Sequence, residues 1–418
     1  MLTTQMQSLS PPDTCASASK CIIEASIHTC FLFADSCYGP HFDEGQPNLM
    51  NDETDVFVVG GGPAGLTLAI AARQQGMSVT VADGAVPPID KTCGEGMMPE
   101  TLAALRSMGV ALAPCEGFRF KGVRFVEQKA TVSAAFPDGQ GLGLARPILH
   151  EKLITRAEEC GVQLLWKTPV TGIEPEAVLA RGRRVRARWI VGADGLASRV
   201  RRWGGLEPAH SSSLRFASRR HYRLAPWSDF VEIHWGRRVQ AYVTPIAKDE
   251  VSVVVIGERS KEAEFEMALA SLPDLREHLR QAEPAGRERG AVTSSRSLQN
   301  VRRGNIALLG DASGSVDAIT GEGLRLALLQ ALALAESIEA GALDQYELAH
   351  RALEERPLLM ARLMVWLGRH DLLRGRVLES FARKPELLAK FLAFHIGHLT
   401  PAELLTTGAA LGWQLLAA

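Results

Sequence analysis

The period of the apolar positions changes along this chain, and each change predicts a different element. Val56, Phe57, Val58 and Val59 form an unbroken apolar run, as expected of a strand buried on both faces of a parallel sheet. The run ends in Gly60-Gly61-Gly62-Pro63-Ala64-Gly65, after which Leu66, Ala69, Ile70 and Ala72 recur at helical spacing. Gly76 stops that helix, and residues 78–82 form a second short strand closed by Asp83. From 117 to 136 the pattern turns to alternation, with Phe118, Phe120, Val123 and Phe125 on the apolar positions. Arg146-Pro147 opens another helix that runs to about Cys160, and strands over 162–166 and 185–191 follow. Short strands return over 216–224, 230–235, 239–243 and 251–256, the last two separated by the polar turn Lys248-Asp249-Glu250. Such hairpin-spaced runs predict an antiparallel sheet. A buried strand at 306–309 then leads to a long apolar helix from Leu324, and beyond Gly341 helices are predicted over 346–356, 358–369, 372–383, 385–393 and 401–418.

Together these periods predict an α/β architecture, α+β overall. Residues 51–116, 145–205 and 295–342 read as a Rossmann-like dinucleotide-binding domain. Residues 117–144 and 206–294 read as an inserted antiparallel-sheet substrate domain, and 343–418 as a C-terminal helical region. The apolar stripes of those last helices, Leu387, Leu388, Phe391 and Leu392 among them, are explained first by packing on the nucleotide domain. Residues 1–50, with Ser, Pro and Thr clusters and little periodicity, are expected to be a poorly ordered extension.

Composition narrows the partners more than the fold. The 46 Lys and Arg nearly balance the 47 Asp and Glu, so no global field favours nucleic acid. Arg181, Arg183, Arg184, Arg186 and Arg188 are locally dense, but Val185, Ala187, Trp189 and Val191 alternate with them, so a solvated strand face explains them at least as well as an anion site does. No run of apolar residues is long enough to span a bilayer, which leaves peripheral membrane contact open and makes the cytoplasm the default compartment. Monomer and homodimer remain equally open. Of the seven cysteines, Cys15, Cys21, Cys30 and Cys37 precede the glycine motif at spacings that fit no common zinc pattern, so no metal site is expected.

The chemistry gathers at the glycines. Gly60, Gly62 and Gly65 have the G-x-G-x-x-G spacing between a strand and a helix. In such a cradle the first glycine permits the tight turn, the second lets backbone approach a pyrophosphate and the third lets helix and strand pack, while the helix N-terminus faces the negative charge. Asp83, 18 residues beyond Gly65, stands where an acid hydrogen-bonds a ribose hydroxyl. A loop carrying Lys91, Cys93, Gly94, Glu95 and Gly96 is rich in functional groups, and its glycines would admit a flat ring. Cys93 reads either as a redox thiol or as a small buried hydrophobe, the latter preferred because no activating partner is evident. His221 shares a strand face with Arg219 and Arg223 and, without a visible partner, reads as structural or solvated before catalytic.

Two further motifs carry a family resemblance. Asp194-Gly195, at the end of one strand and before Ser198-Arg199, resembles the Asp-Gly motif of flavoprotein aromatic hydroxylases. Gly310-Asp311-Ala312 through Gly321-Glu322-Gly323 resembles the Gly-Asp motif of the glutathione-reductase-type FAD superfamily, and is closer to its geranylgeranyl-reductase and flavin-halogenase branch. The resemblance implies bound FAD, held by Gly60, Gly62, Pro63, Ala64, Gly65, Asp83, Cys93, Gly94, Arg146, Asp194, Gly310, Asp311, Gly321, Glu322 and Gly323. It also implies NAD(P)H as electron donor and a small-molecule substrate. The expected activity is an FAD-dependent monooxygenase acting on a small aromatic or polyketide-like molecule. A reductase of isoprenoid or quinone-linked double bonds comes next. A halogenase, with Lys91 as its lysine, ranks third for want of a tryptophan-x-tryptophan signature.

Overall fold

The computed structural model describes residues 52–113, 115–127, 130–207, 214–259 and 261–417. The expected extension over residues 1–50, with its four cysteines, lies outside them. The first sheet has the strand order Arg302–Arg303, Ile306–Leu308, Arg183–Gly192, Glu53–Val59, Val79–Ala82 and Gln163–Leu165, with Val170–Glu174 and Ala177–Ala180 attached to the start of Arg183–Gly192. Its centre is parallel: Glu53–Val59 pairs with Val79–Ala82 on one side and Arg183–Gly192 on the other. Helices Pro63–Gln74 and Gly323–Glu339 pack in the same apolar core as these strands, through Leu66, Ile70, Leu328 and Leu334, all fully buried. Covering the sheet in this way is why Val56 to Val59 needs no polar alternation. Along Arg183–Gly192 the arginines at 183, 184, 186 and 188 are exposed while Val185 and Ala187 are buried, the solvated face that alternation predicts.

The second sheet has seven strands, ordered Glu283–Thr293, Arg215–Arg223, Glu250–Gly257, Val239–Ala247, Val231–Trp235, Gly122–Glu127 and Ala130–Ala135. It departs from the expected antiparallel pattern at one pairing, where Val231–Trp235 runs parallel to Gly122–Glu127. Those two strands come from separate excursions of the chain, so no hairpin dictates their direction. Both faces are covered. Val243, Val253 and Val255 pack with Phe265 and Leu275 of the short helices Phe265–Ala270 and Pro273–Leu279, and with Leu272 between them. Ile233, Trp235, Tyr242, Val254 and Ile256 share the opposite core with Val377, Phe381, Leu387 and Leu392.

That second core corrects the expectation for the C-terminal helices. Asp371–Arg383 and Pro385–His395 bury their stripes against the second sheet, not the first. A second correction concerns the break expected near Pro357: Leu343–Gly368 is a single helix with Pro357 inside it. An internal proline removes one helical hydrogen bond and costs about 3 kcal/mol. Burial of Tyr346, Met360 and Ala361 on either side, at roughly 1.5–3 kcal/mol for each large apolar side chain, offsets it.

Candidate functional site

The glycine triplet divides its work as the backbone requires. Gly60 has φ +115°, and a Cβ there would lie 2.3 Å from the Ala193 carbonyl oxygen. A Cβ on Gly65 would lie 2.0 Å from the Gly60 oxygen. These two positions are closed by packing, but a Cβ on Gly62 would meet nothing within 4 Å. Gly62 therefore presents bare backbone to open space at the N-terminus of Pro63–Gln74, whose first turn no side chain caps. Asp83 steadies the turn: Oδ2 accepts from Gly61 N at 2.7 Å and Oδ1 from Ala85 N at 2.8 Å. Each oxygen keeps a lone pair for a hydroxyl.

The space beside Gly62 is a cavity of about 970 Å³ between the two sheets. Gly60, Gly62, Pro63, Ala64 and Asp83 line it from the glycine loop, and Lys91, Cys93 and Gly94 from the following loop. Arg146, Asp194, Asp311, Gly321 and Gly323 complete this polar half. Gly65, Gly310 and Glu322 shape the wall from behind, and His221 lies outside it. Asp311 opens toward the void yet is enclosed by protein on its other sides. Burial pushes its carboxyl up, and the Lys91 and Arg146 cations pull the other way. At the start of the Arg199–Trp203 helix, which Ser198 caps, Asp194 Oδ2 accepts from Arg199 N at 2.7 Å, while its Oδ1 is buried without a partner. Arg146 Nε is also buried and unpartnered.

At the far end Gly321 takes φ +68° to start the Gly323–Glu339 helix, and Cβ atoms on Gly321 and Gly323 would both meet nothing within 4 Å. Between them Glu322 turns away from the cavity. Its carboxylate is buried, with Oε1 at 2.8 Å from His395 Nε2 and Oε2 paired with Arg325. Burial alone would raise the Glu322 carboxyl, but His395 and Arg325 outweigh it and hold it low. Bare glycine backbone at both ends, an inward carboxylate at Asp311 and unpartnered polar atoms at Asp194 and Arg146 make a cradle that fits FAD.

The loop over this cradle is latched to the second sheet. Glu95, its side chain fully buried, accepts from Arg219 Nη1 at 2.9 Å and from Arg146 N at 2.8 Å. Its Oε2 lies 2.6 Å from His221 Nε2. Asp90 pairs with Arg219 and Arg289 at 2.9 and 3.1 Å, and Thr244 Oγ1 donates to the Gly94 carbonyl at 2.7 Å. Burial would raise the Glu95 carboxyl, but His221 and Arg219 more than reverse it. His221, solitary in the sequence, thus has two carboxylate partners, the second being Glu250 at 3.0 Å from Nδ1. Cys93 Sγ accepts from Glu95 N at 3.4 Å and Arg146 Nη1 at 3.7 Å, contacts that sequence spacing does not reveal.

The other half of the cavity is apolar. Phe120, Phe125, Ile233, Val254 and Ile256 come from the strands, and Met364, Leu388, Phe391 and Leu392 from the C-terminal helices. Tyr242 and Thr244 also face it, but Tyr242 donates its hydroxyl to the Ile319 carbonyl and Thr244 is held by Gly94. That leaves His395 as the basic side chain on this wall among the described residues. It was missed at the sequence level because a single histidine in an apolar helix carries no signal of its partner, which lies 73 residues earlier (395 − 322).

Known proteins place this geometry. The family described as FAD binding domain matches residues 53–344. The chain belongs to that FAD binding domain family. Menaquinone reductase of Mycobacterium tuberculosis is 26% identical over 318 residues, 70% of this chain and 78% of the relative. Digeranylgeranylglycerophospholipid reductase 1 of Methanopyrus kandleri is 29% identical over 298 residues, 66% of this chain and 78% of its own. Among solved structures, the flavin-dependent brominase Bmp2 superposes with a TM-score of 0.70 at 19% identity, covering 86% of this chain and 98% of that one. The chain is accordingly a flavoprotein oxidoreductase by family, with geranylgeranyl-reductase-like relatives. No helix among the described residues is long and apolar enough to cross a membrane.

Proposed function

We propose that this chain is an FAD-dependent reductase of isoprenoid or quinone-linked double bonds, with NAD(P)H as electron donor. The observation that carries this reading is the apolar half of the cavity, whose aromatic and aliphatic walls suit a prenyl chain better than a polar phenol. The menaquinone and digeranylgeranylglycerophospholipid reductases among its relatives support it. The monooxygenase reading, which the Asp194-Gly195 motif favours in the sequence, requires groups that orient and deprotonate an aromatic hydroxyl. On this wall Tyr242 and Thr244 are already committed to backbone carbonyls.

When bound, FAD supplies hydride transfer. Gly62 and the N-terminus of Pro63–Gln74 would hold its pyrophosphate, Asp83 and Asp311 its ribose and ribitol hydroxyls, and Gly94, Gly321 and Gly323 its ring. The Glu95 latch would hold the 90–96 loop in place beside the cradle. The apolar wall orients the chain of the substrate. His395 sets its Nε2 2.8 Å from Glu322 Oε1, at the border between the polar and apolar halves.

The test is reduction of a prenylated quinone and of a prenyl lipid by the FAD-loaded protein with NADPH, in air and under strict anaerobiosis. Saturation of a double bond without oxygen is the expected result. Products that gain an oxygen atom, formed only in air, would return the assignment to the monooxygenase.

A further inference from the structure

A second pocket, about 330 Å³, lies apart from the flavin cavity, between the hairpin that joins Val231–Trp235 to Val239–Ala247 and the end of the Leu343–Gly368 helix. Arg215, Arg237, Arg238 and Arg369 line it, against the two carboxylates Glu258 and Asp371. Both carboxylates are engaged. Glu258 accepts from Arg369 Nε at 2.6 Å, and Asp371 accepts from Arg374 Nη1 at 2.8 Å. Arg215 forms the back wall, 5% exposed, with Nη1 on Asp317 at 2.8 Å and Nη2 on Gln240 at 3.0 Å, and its Nε is buried without an acceptor. Arg237 and Arg238 stand exposed at the hairpin tip, and among the described residues no carboxylate pairs with either guanidinium. Arginine stays charged at any working pH, so the mouth of the pocket carries uncompensated positive charge.

The hairpin places that charge at a conformational cost. Gly236 N donates to the Val239 carbonyl at 3.0 Å, closing a tight turn in which Arg238 takes φ +62°. Glycine or asparagine suits such a position, and an arginine held there is a strained side chain aimed by its backbone. Paired guanidinium forks beside a small concavity match the oxygens of a phosphate group.

The geometry points to a phosphate-binding pocket formed by Arg237, Arg238 and Arg369 over Arg215, taking a phosphomonoester or diphosphate group. No catalysis is involved, and the site stands independently of the double-bond reading. Its back wall reaches the main cavity through one side chain, since Asp317, bound by Arg215, also caps the Ala318–Thr320 turn that lines it. The group can arrive on a soluble molecule or on a lipid headgroup.

Two titrations of the FAD-loaded full chain separate those sources. The first adds sodium pyrophosphate, followed by calorimetry, with sodium chloride at matched ionic strength as control. The second is sedimentation with phosphatidylcholine vesicles with and without phosphatidic acid. Saturable pyrophosphate binding, or sedimentation that requires phosphatidic acid, is expected for the wild type, and either should weaken by about tenfold or more in Arg238→Gly. Arg238→Gly relieves the left-handed strain, so it should melt no lower than the wild type. Arg237→Gln is the second variant, and it should weaken binding in the same direction. Wild-type binding that neither substitution alters, or no binding by either route, would overturn the site.

Discussion

At the scale of single residues, three glycines that look alike in the sequence predict three different mutants. Gly62→Ala adds a methyl that meets no protein atom, at φ −74°, which alanine accepts. The FAD-stripped variant should therefore melt like the wild type, yet bind FAD about tenfold or more weakly, a loss of roughly 1.4 kcal/mol or greater, because the methyl stands where the ligand must approach. Gly65→Ala places its methyl 2.0 Å from the Gly60 oxygen. Backbone must move there, and the fold should lose at least the ~1–3 kcal/mol typical of an overpacked core. Fluorescence titration with FAD and thermal melts of the stripped proteins distinguish the two. Equal FAD affinity in Gly62→Ala and wild type would remove the close-approach argument. The triplet was legible because its geometry is local, with strand, turn and helix contiguous in the chain. The partners of His221 and His395 were not, since Glu95 lies 126 positions from His221 and only the tertiary fold brings them together.

At the scale of elements, the long helix Leu343–Gly368 holds the Asp311 turn in place. Tyr346 donates its hydroxyl to the Leu308 carbonyl at 2.7 Å, and His350 Nε2 meets Ser313 Oγ at 2.8 Å. Gln330 Oε1 accepts from Gly310 N at 3.1 Å, and the Gln330 side chain is also hydrogen-bonded to Glu354. Burial pushes the Glu354 carboxyl up from 4.5 to about 8, against the pull of Gln330. Burial, with Arg351 nearby, brings His350 down from 6.5 to about 4. Between pH 4.5 and 6.5 unfolding would release a proton from Glu354 and take one up at His350, so the two slopes oppose. From 6.5 to about 8 only Glu354 still titrates differently, and the unfolded chain binds fewer protons. Stability should then fall by about 1.4 kcal/mol per pH unit, roughly 2 kcal/mol over that window. Denaturant midpoints at pH 6.5 and 8 should show this loss in the wild type and not in Glu354→Gln, whose amide keeps an acceptor for Gln330. A loss of equal size in both proteins would place the titrating group elsewhere. The sequence predicts two helices here because local rules end a helix before proline, while the burial that sustains one helix through Pro357 is a tertiary effect. For the same reason Glu283–Thr293 escaped notice. It is an edge strand, largely exposed and without apolar alternation, and pairing with Arg215–Arg223 defines it rather than its own pattern.

At the scale of the whole molecule, two sheets and a helical cap enclose one cavity whose halves differ in chemistry. The polar half is assembled from glycine and acid motifs that local spacing displays. The apolar half is assembled from alternate residues of several strands and from C-terminal helices far along the chain, so its continuity is visible only in the fold. This division can be tested by filling one half alone. Ala217, 7% exposed, lines the cavity from Arg215–Arg223, opposite Ile256 in register and within the apolar core shared with the C-terminal helices. Ala217→Trp should occupy part of the apolar chamber and leave the glycine cradle untouched. FAD content per chain should stay at the wild-type level, as should reduction of a small hydrophilic acceptor such as ferricyanide by the NADPH-reduced protein. Turnover of a long prenyl substrate should fall about tenfold or more, since a lost or blocked apolar contact of one to two methylene groups already costs about 0.8 kcal/mol each. If ferricyanide and prenyl turnover fell together, with FAD retained, the apolar half would not be where the substrate lies.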